Sequence, residues 1–125
     1  MMKEIFTNKA PAAIGPYSQA VVAGDFLYAS GSIGINPENG EVVEGIEKQT
    51  IQVMENLRYI LMEANANFSQ VVKFTIYLQD MDNFATVNEI YGRYLNKPYP
   101  ARATVEVSRL PKDVLVEIDA VVYLK

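Results

Sequence analysis

The apolar residues of this chain change their spacing repeatedly, and those changes constrain the fold more than any other feature of the sequence. The first part alternates. "KEIFT" reads as a short strand, and "SQAVVAG" and "DFLYASG" are β-rich runs that Gly24 and Asp25 can join in a tight hairpin. Between strand and hairpin lies "NKAPAAIGPYS", where two prolines and a glycine break regular structure, and "INPENGEVV" reads as a second turn. From Ile46 the spacing becomes helical: Ile46, Thr50, Val53, Leu57, Ile60, Leu61 and Ala64 recur at steps of three and four. They form one stripe on a helix of about five turns, which Asn65 and Asn67 are suited to end.

Alternation returns in "VVKFTIYLQ", with Val72, Phe74, Ile76 and Leu78 on one face. Asp80 or Asp82 can cap a second helix carrying Phe84, Val87, Tyr91, Tyr94 and Leu95, which Pro98 and Pro100 end. "RATVEVS" and "VLVEIDAVVYL" close the chain as two strands joined at "RLPKD", expected to form an antiparallel pair. The order βββαβαββ predicts an α+β fold. One domain over residues 1–125 is expected, a single mixed six-stranded sheet with both helices on one face.

Parity then assigns faces. Val114, Val116, Ile118, Ala120 and Val122 should meet the helices, which sends Leu115, Glu117, Asp119, Val121 and Tyr123 to the other side. Ala103, Val105 and Val107 are read as inward too, with Arg102, Thr104 and Glu106 facing away. On this reading Arg102 and Glu117 share a sheet face with Lys73, Thr75 and Tyr77. A face of that mixed character, left bare by the helices, suggests a subunit interface.

Composition narrows the chemistry. With no histidine and no cysteine among 125 residues, there is no Ser-His-Asp or Cys-His arrangement, no disulfide and no zinc site of the usual ligands. No metal site is expected, and "ENGEVVEG" lacks the alternating oxygen ligands of a calcium loop. Proton transfer falls to a carboxylate, Tyr, Lys or water. The 11 basic residues are scattered and outnumbered by 15 acidic ones, which disfavours a nucleic-acid partner. No apolar run approaches the roughly 20 residues of a membrane span. "MMKEIFTNKAP" carries a charge pair where a secretory signal would carry its apolar segment, so a cytoplasmic location is expected.

Taken singly, the conspicuous residues have structural readings. Arg102 and Glu117 can be a cross-strand ion pair worth about 0.2–1 kcal/mol. Tyr17 can anchor its loop, Gly31 can serve a bend in a strand, and Asn88 can be a solvated or capping side chain on its helix.

Together, "PAAIGPYSQA", "LYASGSIGINPENGEV", "MDNFATVNEIYGRYL" and "YPARATVEVSRLPKDVLVEIDAVV" resemble, in order and nearly end to end, the Rid (YjgF) family of reactive-intermediate deaminases. The resemblance implies a fold like that of the small bacterial chorismate mutase and a homotrimer with sites in the clefts between subunits. It also implies hydrolysis of 2-imino acids, such as 2-iminopropanoate and 2-iminobutanoate, to 2-keto acids and ammonia without a cofactor. By position, the family's carboxylate-binding arginine falls on Arg102, its water-positioning glutamate on Glu117 and its loop tyrosine on Tyr17. Its pocket positions match Ser30, Gly31 and Asn88. The sequence departs at Thr104, where many members have cysteine, and at Ser32, where many have glutamine. These put a thiol contact and the side-chain preference in question. Similar proteins have also been labelled translation inhibitors or endoribonucleases, and a non-catalytic binder of small carboxylates is a third reading.

Overall fold

The order of strands in the sheet departs from their order along the chain, and one departure decides where the site residues lie. A computed structural model describes residues 1–125. The elements are β1 (Lys3–Ile5), β2 (Ala20–Ala23), β3 (Phe26–Ile33), α1 (Ile46–Glu63), β4 (Val71–Leu78), α2 (Phe84–Arg93), β5 (Ala101–Glu106) and β6 (Val116–Tyr123). The strands form one sheet in the order β1-β2-β3-β6-β4-β5, antiparallel throughout except for the parallel pair β4 and β5. This is the mixed six-stranded α+β architecture that the spacing predicts.

The expected pairing of the last two strands is not realised. Helix α2 returns the chain from the end of β4 to the start of β5, so these two lie side by side and parallel. The Val107–Leu115 connection then crosses β4 and inserts β6 between β3 and β4. β6 suits that central place. Val116, Ile118, Ala120 and Val122 are all buried, as parity predicts, and β6 is bonded to a neighbour on each side.

Helix α1 packs across β3 and β6, and α2 packs on α1. The predicted stripe is the buried one: Thr50, Val53, Leu57, Ile60 and Leu61 face the core. Asn65 adopts a left-handed φ of 57°, and the Ala66 N–H bonds the Leu61 carbonyl at 2.9 Å, so the helix stops where an asparagine can make that turn. Asp80 accepts a bond from the Asp82 N–H at 2.9 Å and caps the turn leading into α2. That helix ends at Arg93, ahead of the prolines. Phe74 anchors the core between Phe68 and Tyr91, whose rings meet it edge-on at 5.9 and 5.2 Å.

Two irregularities matter. In β4 a register shift between Val71 and Lys73 turns Val71 inward and leaves Val72 exposed, against the expected face for Val72. In β3 a shift between Ala29 and Ser32 makes a bulge at Ser30 and Gly31. The sheet face away from the helices is uncovered within the chain. Tyr28, Tyr123 and Val105 are 47%, 43% and 43% exposed there, beside Thr75, Tyr77, Glu117 and Asp119.

Candidate functional site

The β3 bulge and Glu117 fit each other closely. A Cβ built on Gly31 would lie 2.1 Å from Glu117 Oε2, so only glycine at this position leaves the carboxylate its space. Glu117 is half-buried. Burial, and then the charge of Asp119, raises its pKa above the ordinary carboxylate value. Asp119 is itself engaged by the Tyr77 hydroxyl at 3.0 Å. No lysine or arginine forms an ion pair with Glu117.

The N-terminal loop is fastened to the same bulge. Ser30 donates its hydroxyl to the Ser18 carbonyl at 2.6 Å and its N–H to the Gln19 carbonyl at 3.0 Å. The buried Gln19 amide accepts from the Thr7 N–H at 2.8 Å and donates to the Thr7 and Pro11 carbonyls at 3.1 and 2.8 Å. Tyr17, 52% exposed, stands on this loop. Loop, bulge and α1 enclose a cavity of about 950 Å³ lined by Tyr17, Gln19, Ser30, Gly31, Ser32 and Glu117. Ile14, Ile33, Ile35 and Ile60 form apolar walls, and Lys112 is also in the lining. Ser32 directs its hydroxyl to the Val53 carbonyl at 3.2 Å. Asn56 in the floor bonds the Ile33 and Ile35 carbonyls at 3.2 and 3.0 Å.

Arg102 lies elsewhere. β5 pairs in register with β4, so Arg102 stands opposite Phe74 and Thr104 opposite Ile76. Phe74 and Ile76 are core residues on the helix side, whereas Tyr77 stands opposite Glu117 on the bare side. The predicted inward set of β5 is therefore inverted: Ala103 and Val105 face the uncovered side, and Arg102, Thr104 and Glu106 the helix side. Arg102 and Glu117 do not share a face, and β4 separates their strands. The cross-strand ion pair does not form either.

A second cleft of about 460 Å³ surrounds the guanidinium, lined by Asn88, Tyr91, Tyr99, Pro100 and Arg102 among others. The guanidinium carbon lies 5.4 Å from the ring centroids of both Phe84 and Tyr91, and one of its nitrogens donates to Asn88 Oδ1. No carboxylate pairs with it. Burial raises the Tyr91 phenol pKa, opposed by the Arg102 charge. Thr104 Oγ1 is buried without a hydrogen-bond partner in the chain.

The structure thus groups Tyr17, Ser30, Gly31 and Glu117 around one cavity and Arg102 with Asn88 around another. Gln19, Asn56 and Lys112 are the lining residues with amide or charged side chains that pattern did not single out. Buried amides satisfied by backbone groups leave no periodic trace, and one lysine in a turn has none. Nowhere do three or more carboxylates converge in an arrangement that could hold a metal ion. No helix is long and apolar enough to cross a membrane.

Fold and clefts together define a small single-sheet α+β protein with a cavity that holds Glu117 and Lys112 and a separate cleft around Arg102. The chain belongs to the family described as Endoribonuclease L-PSP, whose model matches residues 7–124 and which is the Rid (YjgF) family of the sequence resemblance. It is 54% identical over 125 residues to a RutC family protein of Pyrococcus abyssi, covering 98% of each chain. It is 47% identical to the chloroplastic Reactive Intermediate Deaminase A of Arabidopsis thaliana, across 96% of this chain and 65% of that protein. A crystal structure of E. coli TdcF with bound serine superposes with a TM-score of 0.94 at 37% identity, covering 98% of this chain and 99% of that one.

Proposed function

We propose that the protein hydrolyses reactive 2-imino acids, among them 2-iminopropanoate and 2-iminobutanoate, to 2-keto acids and ammonia, at sites shared between the subunits of a homotrimer. The observation that carries this reading is a pair of uncommitted opposite charges, Arg102 and Glu117, each presented in its own cleft. The bare, partly apolar sheet face beside Glu117 supports assembly, because such a surface is covered in most soluble proteins. Relatives add support. One bears the name of a reactive-intermediate deaminase, and serine, bound by another, carries a carboxylate next to a nitrogen-bearing carbon as a 2-imino acid does.

In the proposed reaction Arg102 of one subunit holds the substrate carboxylate through two parallel charge-assisted bonds. Phe84, Tyr91 and the Asn88 oxygen fix the plane of the guanidinium. The C=N carbon then stands at Glu117 of the neighbouring subunit. Water held by this carboxylate adds to the iminium carbon: the C–O bond forms, the C=N pair moves to nitrogen, and the water proton passes to Glu117. Glu117 returns that proton to the amine of the tetrahedral intermediate. The C–N bond breaks as the hydroxyl becomes the carbonyl, and its proton leaves with ammonia as ammonium. A raised pKa suits Glu117 to both transfers. Tyr17 offers a phenol at the cavity for hydrogen bonding to water or amine, and Gly31 leaves room for the carboxylate.

The test is complementation. Arg102→Ala and Glu117→Ala should each abolish imine turnover. After unfolding together and refolding, random trimers should regain intact sites at about a quarter of positions, because each site takes one residue from each of two subunits. Mixtures that stay inactive while refolding as trimers would sink the shared site. RNA cleavage in metal-free buffer without imine turnover by the wild type would replace deamination with the activity that the family description names.

A further inference from the structure

Apart from Glu117, the cavity has one charged lining residue, Lys112. It sits in the turn Pro111–Asp113, where both Lys112 and Asp113 adopt left-handed φ values of 55°. An L side chain is disfavoured in that conformation, and glycine is not. For Asp113 the chain supplies a structural reason: its carboxylate takes Arg109 Nε at 2.7 Å and Nη2 at 3.3 Å, closing the turn. Lys112 has none. It is exposed and makes no hydrogen bond and no ion pair. The turn is nonetheless held firmly, between buried Leu110 and Val114 and by the Asp113 N–H to the Leu110 carbonyl at 3.0 Å. A rigid turn therefore presents a free ammonium to a cavity whose other charge is negative.

We infer that Lys112 helps hold the substrate carboxylate at the cavity, acting on the bound anion alongside Arg102 of the neighbouring subunit. The inference rests on the proposed deamination and adds a residue to it. A 2-imino acid is an anion at its carboxylate, and it must approach Glu117 on a chain of net charge −4. Without Lys112 every fixed charge lining that cavity would repel it. A single mobile ammonium at about 4–6 Å in water changes the local concentration of an anion by about 3–5-fold. Lys112 takes no part in the proton transfers proposed for Glu117, so its influence should fall on binding and leave the chemical step alone.

The experiment compares Lys112→Gln, Lys112→Arg and Lys112→Gly with Lys48→Gln, which removes the same charge from an exposed position of α1 outside both cavities. Two readouts are taken at low salt and near 1 M salt, where screening falls to about 3 Å: the Kd of 2-oxobutanoate, and kcat and KM for imine generated in situ. Lys112→Gln should raise Kd and KM by about 3–5-fold at low salt with kcat unchanged, and the gap should close in high salt. Lys112→Arg and Lys48→Gln should match the wild type. Lys112→Gly should weaken binding without lowering Tm, because it relieves the left-handed backbone. Equal Kd values for Lys112→Gln and wild type at low salt overturn the inference, as does a gap that persists in high salt or a wild type that does not bind the keto acid. Keto-acid binding without imine turnover would refute the deaminase reading, and the Kd series would still judge Lys112.

Discussion

Gly31→Ala isolates the placement of one carboxylate from every other property of the protein. Gly31 has no left-handed backbone conformation to lose, so alanine is compatible with the chain. On that ground alone the change should stabilise by about 0.4–1 kcal/mol, through the unfolded state. The cost is local. The new Cβ would lie 2.1 Å from Glu117 Oε2 and 2.7 Å from its Cδ. To regain van der Waals separation of about 3.5 Å, the carboxylate must move by more than about 1 Å. It can do so, being the far end of a flexible side chain that is only half-buried. A displacement of about 1 Å at a positioned group costs about 100-fold in rate, equivalent to about 2.7 kcal/mol. The expected outcome is a folded protein with unchanged or slightly raised Tm and kcat reduced about 100-fold. An amino-acid oxidase supplying imine, with keto acid as the signal, measures the rate, and a circular dichroism melt measures the fold. In a Glu117→Gln background the same alanine should cost little more, because the carboxylate it displaces is already gone. Wild-type turnover in Gly31→Ala would refute the role of Glu117 in this geometry. An undiminished loss in the Glu117→Gln background would mean that Gly31 acts through another group.

Burial raises the Glu117 pKa, so the fold favours the protonated form: the stability tied to it is fully present below the unfolded value of about 4.3 and lost as pH rises through the folded value. Glu117→Gln should therefore be more stable than wild type to urea at pH 7 and equal to it below about pH 4, and a less stable variant at pH 7 would contradict the assignment. Arg102→Lys keeps the charge and loses the planar fork, so kcat/KM should fall by about 10–1000-fold while the melting curve is unchanged, since the exposed Arg102 pairs with no carboxylate. Gly34→Ala should do the reverse: its Cβ would lie 2.9 Å from Gln49 Cα, forcing α1 away from β3, so calorimetry should register a loss of about 1–3 kcal/mol.

Much of the fold is legible in the spacing of apolar residues, because a strand with one buried face must repeat them at every second place and a helix at every third or fourth. Val116, Ile118, Ala120 and Val122, and the stripe from Thr50 to Leu61, are buried as that rule requires. β5 obeys the same rule and misleads. Its apolar set, Ala103 and Val105, faces the side that no helix covers, while Arg102 and Thr104 stand with the core residues Phe74 and Ile76. Alternation records that a face is buried and carries no mark of what buries it. A helix of the same chain and a second copy leave the same pattern, and inverted parity on an edge strand is what a surface covered from outside would produce. The separation of the candidate site has the same origin. Two long side chains of opposite charge on neighbouring stretches of sequence invite the reading of an ion pair, yet the crossover through α2 fixes Arg102 on one side of the sheet and the inserted β6 fixes Glu117 on the other. Within one chain neither charge has a partner. For a chain whose exposed Arg–carboxylate pairs are otherwise formed readily, at Arg58 and Glu55, Arg93 and Glu89, and Arg109 and Asp113, leaving these two unpaired makes physical sense if each is reserved for a ligand that carries the other's complement. A 2-imino acid does so: its carboxylate answers the arginine, and its electrophilic carbon and basic nitrogen answer the glutamate.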